Sequence, residues 1–144
     1  MITVSRFNFE NQLLFATALQ IRTTVFVGEQ NVDPALEHDK FEEFAQHYLI
    51  YFDEKPVGAA RWRETSEGIK LERFAVLAKY RNMQVGAQLL KQVVEDVLPF
   101  GKQIYLHAQI NAVRFYERHG FSVSGESFEE AKIIHYKMIL VFFP

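Results

Sequence analysis

The chain has 144 residues, of which 49% are hydrophobic and 15% aromatic, and a formal net charge of −2 at pH 7. This composition excludes a disordered chain, because disordered chains carry too few apolar side chains to form a core. The balanced charge argues against a nucleic-acid or membrane-surface partner, and the absence of cysteine excludes disulfides, thiolate metal sites and a cysteine nucleophile.

The two ends of the chain bear on its location. The N-terminus lacks a basic segment followed by an apolar run, so no signal peptide is visible. The apolar residues 138–143 are too few to span a bilayer, which takes roughly 20 residues, and are more simply a buried strand. We therefore expect a soluble, cytoplasmic protein whose residues 1–144 form a single domain.

The N-terminal part of the chain predicts a strand, a helix and a loop. Residues 2–7 alternate in polarity and favour a strand, and residues 11–26 favour a helix with one apolar face. The side chains of that face are Leu14, Ala18, Ile21 and Val25. Gly28 follows where such a helix would end, and the polar, acidic residues 28–44 predict a loop with one helical turn.

A meander of three antiparallel strands comes next. The strands are predicted at residues 46–52, 57–63 and 69–76, with turns at 53–56 and 67–68. Strict alternation along the third strand would place three side chains on one face of the sheet, namely Leu71, Arg73 and Ala75. The opposite face would then carry Glu72, Phe74 and Val76.

The rest of the chain predicts helices that alternate with strands. The helices are expected at residues 85–98 and 112–119, and the strands at 103–108 and 133–142. Asn111 is suited to cap the start of the second helix, and Gly120 is suited to the C′ position at its end. Antiparallel strands followed by a β-α-β-α-β order predict an α+β sheet with helices packed on it.

Residues 81–87 predict a phosphate-binding site. They run from a strand into the start of a helix, where successive backbone N–H groups lie at the positive end of the helix dipole. Arg81 can add a charge-assisted hydrogen bond, and Gly86 lets a ligand approach the backbone. An ordinary strand-to-helix loop with a packing glycine explains the same residues, so spacing alone leaves both interpretations open.

This segment resembles the acyl-CoA-binding motif of the GNAT superfamily of N-acyltransferases, Q/R-x-x-G-x-G/A. Arg81 fills the first position and Gly86 the last, whereas Gln84 stands in place of the internal glycine. Gln84 keeps the backbone N–H donor but adds a β-carbon that crowds the turn. The resemblance implies that acetyl-CoA is bound by Arg81, Asn82, Gln84, Val85, Gly86 and Ala87.

A second segment, residues 111–121, resembles another GNAT motif. It reads N-x-x-x-F-Y-x-x-x-G-F, and its distance from the first motif also fits the family. The resemblance implies that Asn111 and Phe115 contact the cofactor and that Tyr116 protonates the departing thiolate. From residue types alone, helix capping by Asn111 and core packing of Tyr116 are the simpler interpretations.

The two motifs and the order of elements extend the resemblance to essentially the whole chain. The implied fold is α+β, with a central, mixed but mostly antiparallel twisted sheet of about 6–7 strands flanked by about 4 helices. The sheet would splay between the strands at 69–76 and 103–108. Backbone N–H groups of Phe74, Ala75 and Val76 would then face the thioester of the cofactor in this opening.

Acyl transfer to an amine requires a base, stabilisation of an oxyanion and a proton for the leaving thiolate. Glu72 is the first candidate for the base, because it lies on the strand that would splay and the resemblance implies a glutamate there that works through water. A strand glutamate that is exposed or paired with an arginine is an equally good interpretation. His135 is a second candidate base.

The acceptor side is expected outside the two motifs. Arg22 and Glu29 lie in a stretch similar to a small bacterial GNAT subgroup and are candidates for orienting the substrate, with a helix-end salt bridge as the alternative. The neighbouring loop, which either favours a cationic amine or is merely solvated, contains Glu37, Asp39, Glu42 and Glu43. His107 and His135 are further candidates for the acceptor side, although a satisfied, partly buried histidine explains each. The five histidines lack the spacing of metal ligands, so we expect no metal.

The sequence thus predicts an N-acetyltransferase that moves an acetyl group from acetyl-CoA to a primary amine by direct attack in a ternary complex. A non-catalytic acyl-CoA-binding or sensing module is the alternative, which Gln84 favours. The expected partner is a small-molecule or peptide amine acceptor, not a nucleic acid or a membrane. The apolar last strand either completes the sheet within one chain or lies at the interface of a homodimer.

Overall fold

The computed structural model describes residues 1–143, which form one mixed sheet covered by helices on both faces. The strands are β1 (Ile2–Asn8), β2 (Gln46–Phe52), β3 (Lys55–Thr65), β4 (Gly68–Val76), β5 (Ile104–Gln109), β6 (Phe121–Val123), β7 (Phe128–Glu130) and β8 (Ile133–Leu140). Their order in the sheet is β1-β2-β3-β4-β5-β8-β6, with β7 also paired to β8. Paired strands run antiparallel except for β4 and β5, which are parallel.

The helices are α1 (Gln12–Arg22), α2 (Pro34–Glu37), α3 (Val85–Val97) and α4 (Val113–Glu117). α1 continues directly into a π-helix at Thr23–Glu29, and 3₁₀ turns occur at Glu42–Phe44, Ala78–Tyr80, Leu98–Phe100 and Ile110–Ala112. The side chain of Asn11 caps α1 by accepting a hydrogen bond from the Leu14 N–H at 3.1 Å. Within residues 1–143, no helix is both long enough and apolar enough to cross a membrane.

The predicted α+β class and its longer elements are confirmed. The sheet has two more strands than the patterns predict, β6 and β7, because three residues are too few to show alternation. The last strand ends at Leu140 rather than at Phe142. The N–H groups of Val141 and Phe142 instead donate to the carbonyl oxygen of Gly120, which takes these residues out of the β8 ladder.

Two apolar clusters lie on the two faces of the sheet. α3 covers one face with a stripe of buried side chains, which are Val85, Leu89, Leu90, Val93, Val94 and Val97. α1 covers the other face with Phe15, Ala18 and Ile21. Burial of each large apolar side chain stabilises the fold by about 1.5–3 kcal/mol, so these stripes fix both helices on the sheet.

The alternation predicted along β4 is wrong beyond Glu72. Phe74 and Val76 pack with Leu71 in the α3 cluster, whereas Ala75 lies in the α1 cluster. The cause is a β-bulge, because Ala59 pairs with Ala75 and Arg61 with Glu72, so that two steps along β3 match three steps along β4. Arg73 lies in this bulge with a φ of 58°, in the left-handed region that side chains rarely adopt.

The start of α4 also differs from the prediction. Asn111 lies inside a 3₁₀ turn, Ala112 is the N-cap residue, and no side chain of the described residues caps this helix. At the other end, Arg118 is the C-cap, so Gly120 lies one position beyond the predicted C′. Gly120 has a φ of 93°, and a β-carbon there would lie 1.6 Å from the carbonyl oxygen of Phe142, so only glycine fits.

Candidate active site

The sheet opens between its two parallel strands, as predicted. β4 and β5 pair only over Ile69–Leu71 and Ile104–Leu106, and beyond these residues they separate. The bulge at Arg73 lies just past the last pair, so the bend in β4 begins where pairing ends. The opening leads into a cavity of about 650 Å³ lined by both strands and by residues of the loop before β2. Backbone groups on this edge of β4 have no partner in β5 and can therefore bind a ligand.

A second cavity, of about 490 Å³, lies at the start of α3. Its lining residues are Arg81, Asn82, Gln84, Gly86, Ala87, Phe115, Arg118 and His119. No side chain of the described residues caps α3, so the N–H groups of its first turn are available to an external acceptor. Unpaired N–H groups at the positive end of a helix, with two arginines nearby, make this cavity suitable for phosphate.

Gln84 explains why the GNAT motif has a glycine at its position. Gln84 is the N-cap residue of α3 and has a φ of 66°, and nearby Asn82 has a φ of 62°. The left-handed conformation costs a residue with a side chain about 1–2 kcal/mol, a strain that glycine avoids. The side chain of Gln84 is exposed, so its β-carbon strains the turn but leaves the backbone N–H groups in place.

Gly86 is not required by packing within the chain. A β-carbon at this position would lie 3.7 Å from the Phe115 ring and 3.8 Å from Val76, which are ordinary van der Waals distances. The interpretation of Gly86 as a packing glycine is therefore wrong. The space beside the Phe115 ring opens into the second cavity, where a ligand can approach the backbone.

Arg81 lines both cavities and fixes the end of β4. Its Nε donates to the carbonyl oxygen of Val76 at 2.9 Å, and its guanidinium pairs with Glu29 at 2.8 Å. Glu29 thus forms a salt bridge, as the alternative interpretation predicted, but its partner is Arg81 and not Arg22. Arg118 also lines the second cavity and forms no ion pair within residues 1–143, although sequence reasoning did not single it out. The available signal was its place two residues after Tyr116 in the second motif.

Tyr116 lines the cavity between β4 and β5, which we call the main cavity, and only 9% of its surface is exposed. Aromatic rings surround it, with ring-centroid distances of 6.5 Å to Phe74, 5.2 Å to Phe115 and 5.8 Å to Phe121. Burial raises the pKa of Tyr116 above its ordinary value, and no charge or hydrogen bond from the described residues offsets this effect. The phenol therefore stays protonated at neutral pH, and the same burial makes it a weaker acid than an exposed tyrosine.

Glu72 lies inside a network of ion pairs. Its carboxylate is 2.9 Å from Arg61, 2.9 Å from Arg63 and 3.3 Å from Lys70. Burial alone would raise the pKa of Glu72, but these three cations outweigh burial and lower the pKa. The observed arrangement is that of a glutamate paired with arginine, and the lowered pKa makes Glu72 a weak proton acceptor.

The same network ties the loop before β2 to the sheet. Arg61 is fully buried and also contacts Asp39 and Glu42, each at 2.7 Å. Arg22, 1% exposed, contacts Glu37 at 2.6 Å and Glu42 at 2.7 Å. The structure thus places Arg22 in a buried ion pair and not in an acceptor pocket. Three of the four loop carboxylates predicted to attract a cationic amine are already neutralised by arginine.

His107 on β5 and His135 on β8 come together around Glu130 on β7. Nδ1 of His107 is 3.6 Å from Oε1 of Glu130, and Nε2 of His135 is 3.7 Å from Oε2 of Glu130. The ring of Phe128 contacts both imidazoles, at 4.9 Å and 5.9 Å between centroids. Both histidines and Glu130 line the main cavity. Glu130 escaped sequence reasoning because the hairpin of β7 and β8 that brings it here was not predicted.

The other predicted cofactor residues divide between the two cavities. The main cavity is lined by Phe74, Ala75, Val76 and Asn111, and the second by Asn82, Gly86, Ala87 and Phe115. The side chain of Val85 is buried in the core under α3, which leaves only its backbone for a ligand.

Comparisons with known proteins show the family of the chain. The family model for the acetyltransferase (GNAT) domain matches residues 16–142. The chain is 39% identical over 132 residues to YjcF of Bacillus subtilis (strain 168), described as an uncharacterized N-acetyltransferase, across 90% of this chain and 94% of that protein.

Solved structures show the same fold. Escherichia coli ElaA is similar at 28% identity and a TM-score of 0.83, over 96% of this chain and 99% of that one. A Bacillus subtilis acetyltransferase in complex with CoA is similar in fold, with a TM-score of 0.72 at 14% identity, over 99% of this chain and 100% of that one. The chain therefore belongs to the GNAT family of acyl-CoA-dependent acetyltransferases.

Proposed function

We propose that this protein transfers the acetyl group of acetyl-CoA to a primary amine by direct attack in a ternary complex. The observation that carries the proposal is Tyr116, a protonated phenol in the cavity between the separated strands β4 and β5. Arg81 lines this cavity and the phosphate-suited cavity at α3, so the two sites are adjacent. A cofactor held by phosphate at one site can thus present its thioester at the other.

Acetyl-CoA is expected to bind with its pyrophosphate at the start of α3. The uncapped N–H groups at the start of α3, in residues 85–87, and the guanidinium of Arg118 are the donors there. The pantetheine arm is expected to run between β4 and β5, where the unpaired edge at residues 74–76 and the amide of Asn111 line the cavity. These groups fit the cofactor because each supplies a hydrogen-bonding atom that the fold leaves available.

The chain's own residues supply the groups that the reaction needs. Those backbone N–H groups of residues 74–76 that point to the unpaired edge stabilise the developing oxyanion, and Tyr116 gives its proton to the thiolate as the C–S bond breaks. Glu72 is a poor base because three cations hold its carboxylate and lower its pKa. We assign removal of the ammonium proton to His135 or to water.

A non-catalytic acyl-CoA-binding module is the second candidate. The strained Gln84, in the place of the motif's glycine, is the observation that favours it. Such a module would bind acetyl-CoA without turning it over.

Thiol release from acetyl-CoA in the presence of a panel of small amines and lysine-containing peptides tests the proposal. We expect release that requires both the protein and an amine, together with calorimetric binding of CoA. Binding without release would favour the non-catalytic module. An absence of CoA binding would contradict both candidates.

A further inference from the structure

Where the imidazole of His135 faces Glu130, both side chains present hydrogen-bond acceptors to each other. Its Nδ1 is 2.7 Å from the carbonyl oxygen of Ile133, which can only accept, so Nδ1 carries a proton. In the neutral imidazole, Nε2 is then an acceptor, and it faces a carboxylate oxygen of Glu130 at 3.7 Å. Two acceptors at this distance leave room for a shared donor from outside the chain.

His107 presents a similar situation on the other oxygen of the same carboxylate. Its Nδ1 is buried and has no hydrogen-bond partner within residues 1–143, and the carboxylate oxygen lies 3.6 Å away. A buried polar atom without a partner destabilises a fold by about 1–3 kcal/mol, so such an atom requires a partner from outside the chain, either water or a ligand. Phe128 contacts both imidazole rings and holds them in place.

Glu130 differs in its partners from the other carboxylates that line the cavity. Glu37, Asp39 and Glu72 each form an ion pair with an arginine, whereas the contacts of Glu130 are with the two histidines. Its side chain is 49% exposed. The carboxylate is therefore ionised and accessible to a cation.

We propose that Glu130, set between His107 and His135, is the recognition site for the ammonium group of the acceptor, which makes the acceptor a cationic primary amine; this rests on the proposed acetyl transfer. A primary ammonium has three N–H donors, and the site offers Nδ1 of His107, the carboxylate of Glu130 and Nε2 of His135. Within residues 1–143, no group of three or more histidine, aspartate or glutamate side chains is arranged to hold a metal ion.

The proton balance of the reaction follows from this placement. One ammonium proton passes to Nε2 of His135 and from there to solvent, which leaves a neutral amine. The amine lone pair forms the C–N bond to the thioester carbonyl carbon, and the C–S bond breaks. The thiolate takes the proton of Tyr116, and the second proton lost by the nitrogen restores the phenol through solvent.

The test compares Glu130→Gln with Glu129→Gln, a matched control on the neighbouring, exposed residue of β7. With n-butylamine near neutral pH, Glu130→Gln should raise the KM for the amine about 10- to 100-fold, as expected for loss of a charge-assisted hydrogen bond. The control should keep the wild-type KM. With methoxyamine, which is uncharged near neutral pH, Glu130→Gln should raise the KM less than it does with n-butylamine, because only the charge-assisted part of the interaction is lost. An unchanged KM for n-butylamine in Glu130→Gln would overturn the inference.

Two further measurements separate this inference from the proposed function. Calorimetry should give the same Kd for acetyl-CoA in all three proteins, which shows that the substitutions leave the cofactor end folded. If the wild type releases no thiol with any amine, n-butylamine is instead titrated into the CoA complexes and followed by NMR. Binding to the wild type and to Glu129→Gln but not to Glu130→Gln supports the recognition site, even though transfer has failed. Equal binding, or none, in all three proteins overturns it.

Discussion

The two cavities offer different kinds of groups to a ligand. We call the cavity at the start of α3 the cofactor end, and the part of the larger cavity around Glu130 and the loop before β2 the acceptor end. At the start of α3 the donors are mainly backbone N–H groups, and a glutamine replaces the motif's glycine at the N-cap. At the acceptor end the cavity is lined by side chains that form ion pairs or face one another, among them Asp39, Glu72 and Glu130. Backbone donors are present whatever the side chain, so the cofactor end tolerates sequence change. The acceptor end depends on the identity of each residue.

The comparison predicts that an arginine substitution destabilises the fold at the acceptor end and not at the cofactor end. Arg61→Met removes the common partner of Asp39, Glu42 and Glu72, so we expect a loss of about 3–5 kcal/mol in the free energy of unfolding. Urea denaturation monitored by circular dichroism measures this loss in the variant relative to the wild type.

Arg118→Met is the matched control at the cofactor end. Arg118 is exposed, so its replacement should change the free energy of unfolding by less than about 0.5 kcal/mol. It should nevertheless weaken acetyl-CoA binding. Equal losses of stability in the two variants would break the distinction between the two ends.

Tyr116→Phe separates chemistry from cofactor binding. We expect kcat to fall by about 10- to 1000-fold, because the thiolate loses its proton donor, while the Kd for acetyl-CoA changes little. Tyr51→Phe, on β2 and outside the residues that line either cavity, serves as the control and should keep the wild-type kcat. An unchanged kcat in Tyr116→Phe would remove the acid role.

Acid should destabilise the protein through the ion-pair network. Burial alone would raise the pKa values of Asp39, Glu42 and Glu72, but their arginine partners outweigh it, lowering all three and holding Asp39 at about 2. Because the folded-state values lie below those of the unfolded chain, the stabilisation is complete above about pH 5 and is lost as the pH falls towards about 2.

The free energy of unfolding, measured in urea at several pH values, should therefore decline below about pH 5 through these carboxylates. A separate decline should begin below about pH 6.5, because burial lowers the pKa of His47 relative to the unfolded chain. Arg61→Met should show a shallower decline, because that variant lacks the central cation of the network. Identical slopes in the two proteins would place the acid sensitivity elsewhere.

The smallest expected effect is at the cofactor end. Gln84→Gly should relieve the left-handed strain of the N-cap, partly offset by the greater flexibility of glycine in the unfolded chain. We expect a gain of about 0.5–1 kcal/mol in the free energy of unfolding, and little change in the Kd for acetyl-CoA because the N–H donors are already in place. A loss of stability would show that the side chain of Gln84 makes a favourable contribution.

Local patterns predict the long elements well, because alternation and helical spacing are strong there. β2 occupies residues 46–52 as expected, and α3 ends one residue before the predicted limit. The bulge at Arg73 and the hairpin turn at Ala131 and Lys132 were not predictable, because all three residues have positive φ without being glycine. The usual Asn-Gly signal of a two-residue hairpin turn is absent, so the sequence offers no pattern that predicts the hairpin carrying Glu130.

The candidate site, like the fold, has parts that local sequence patterns predict and parts that they do not. The proposed phosphate-binding segment and Tyr116 lie in short motifs, so sequence alone could single out these residues, which line the two cavities. Partners distant in the chain could not be assigned: Arg22 pairs with Glu37 and Glu42, and Arg61 joins the loop before β2 to Glu72. Such pairs depend on how the chain folds back, which local spacing does not encode.

Direct attack on acetyl-CoA by the amine is tested most directly by mass spectrometry of a single turnover. Protein in excess over acetyl-CoA is mixed with n-butylamine, and the masses of the amine and of the intact protein are followed together. We predict that the amine gains one acetyl group while the mass of the protein stays constant. A protein that carries an acetyl group before the amine is added, and then passes it on, would contradict transfer in a ternary complex.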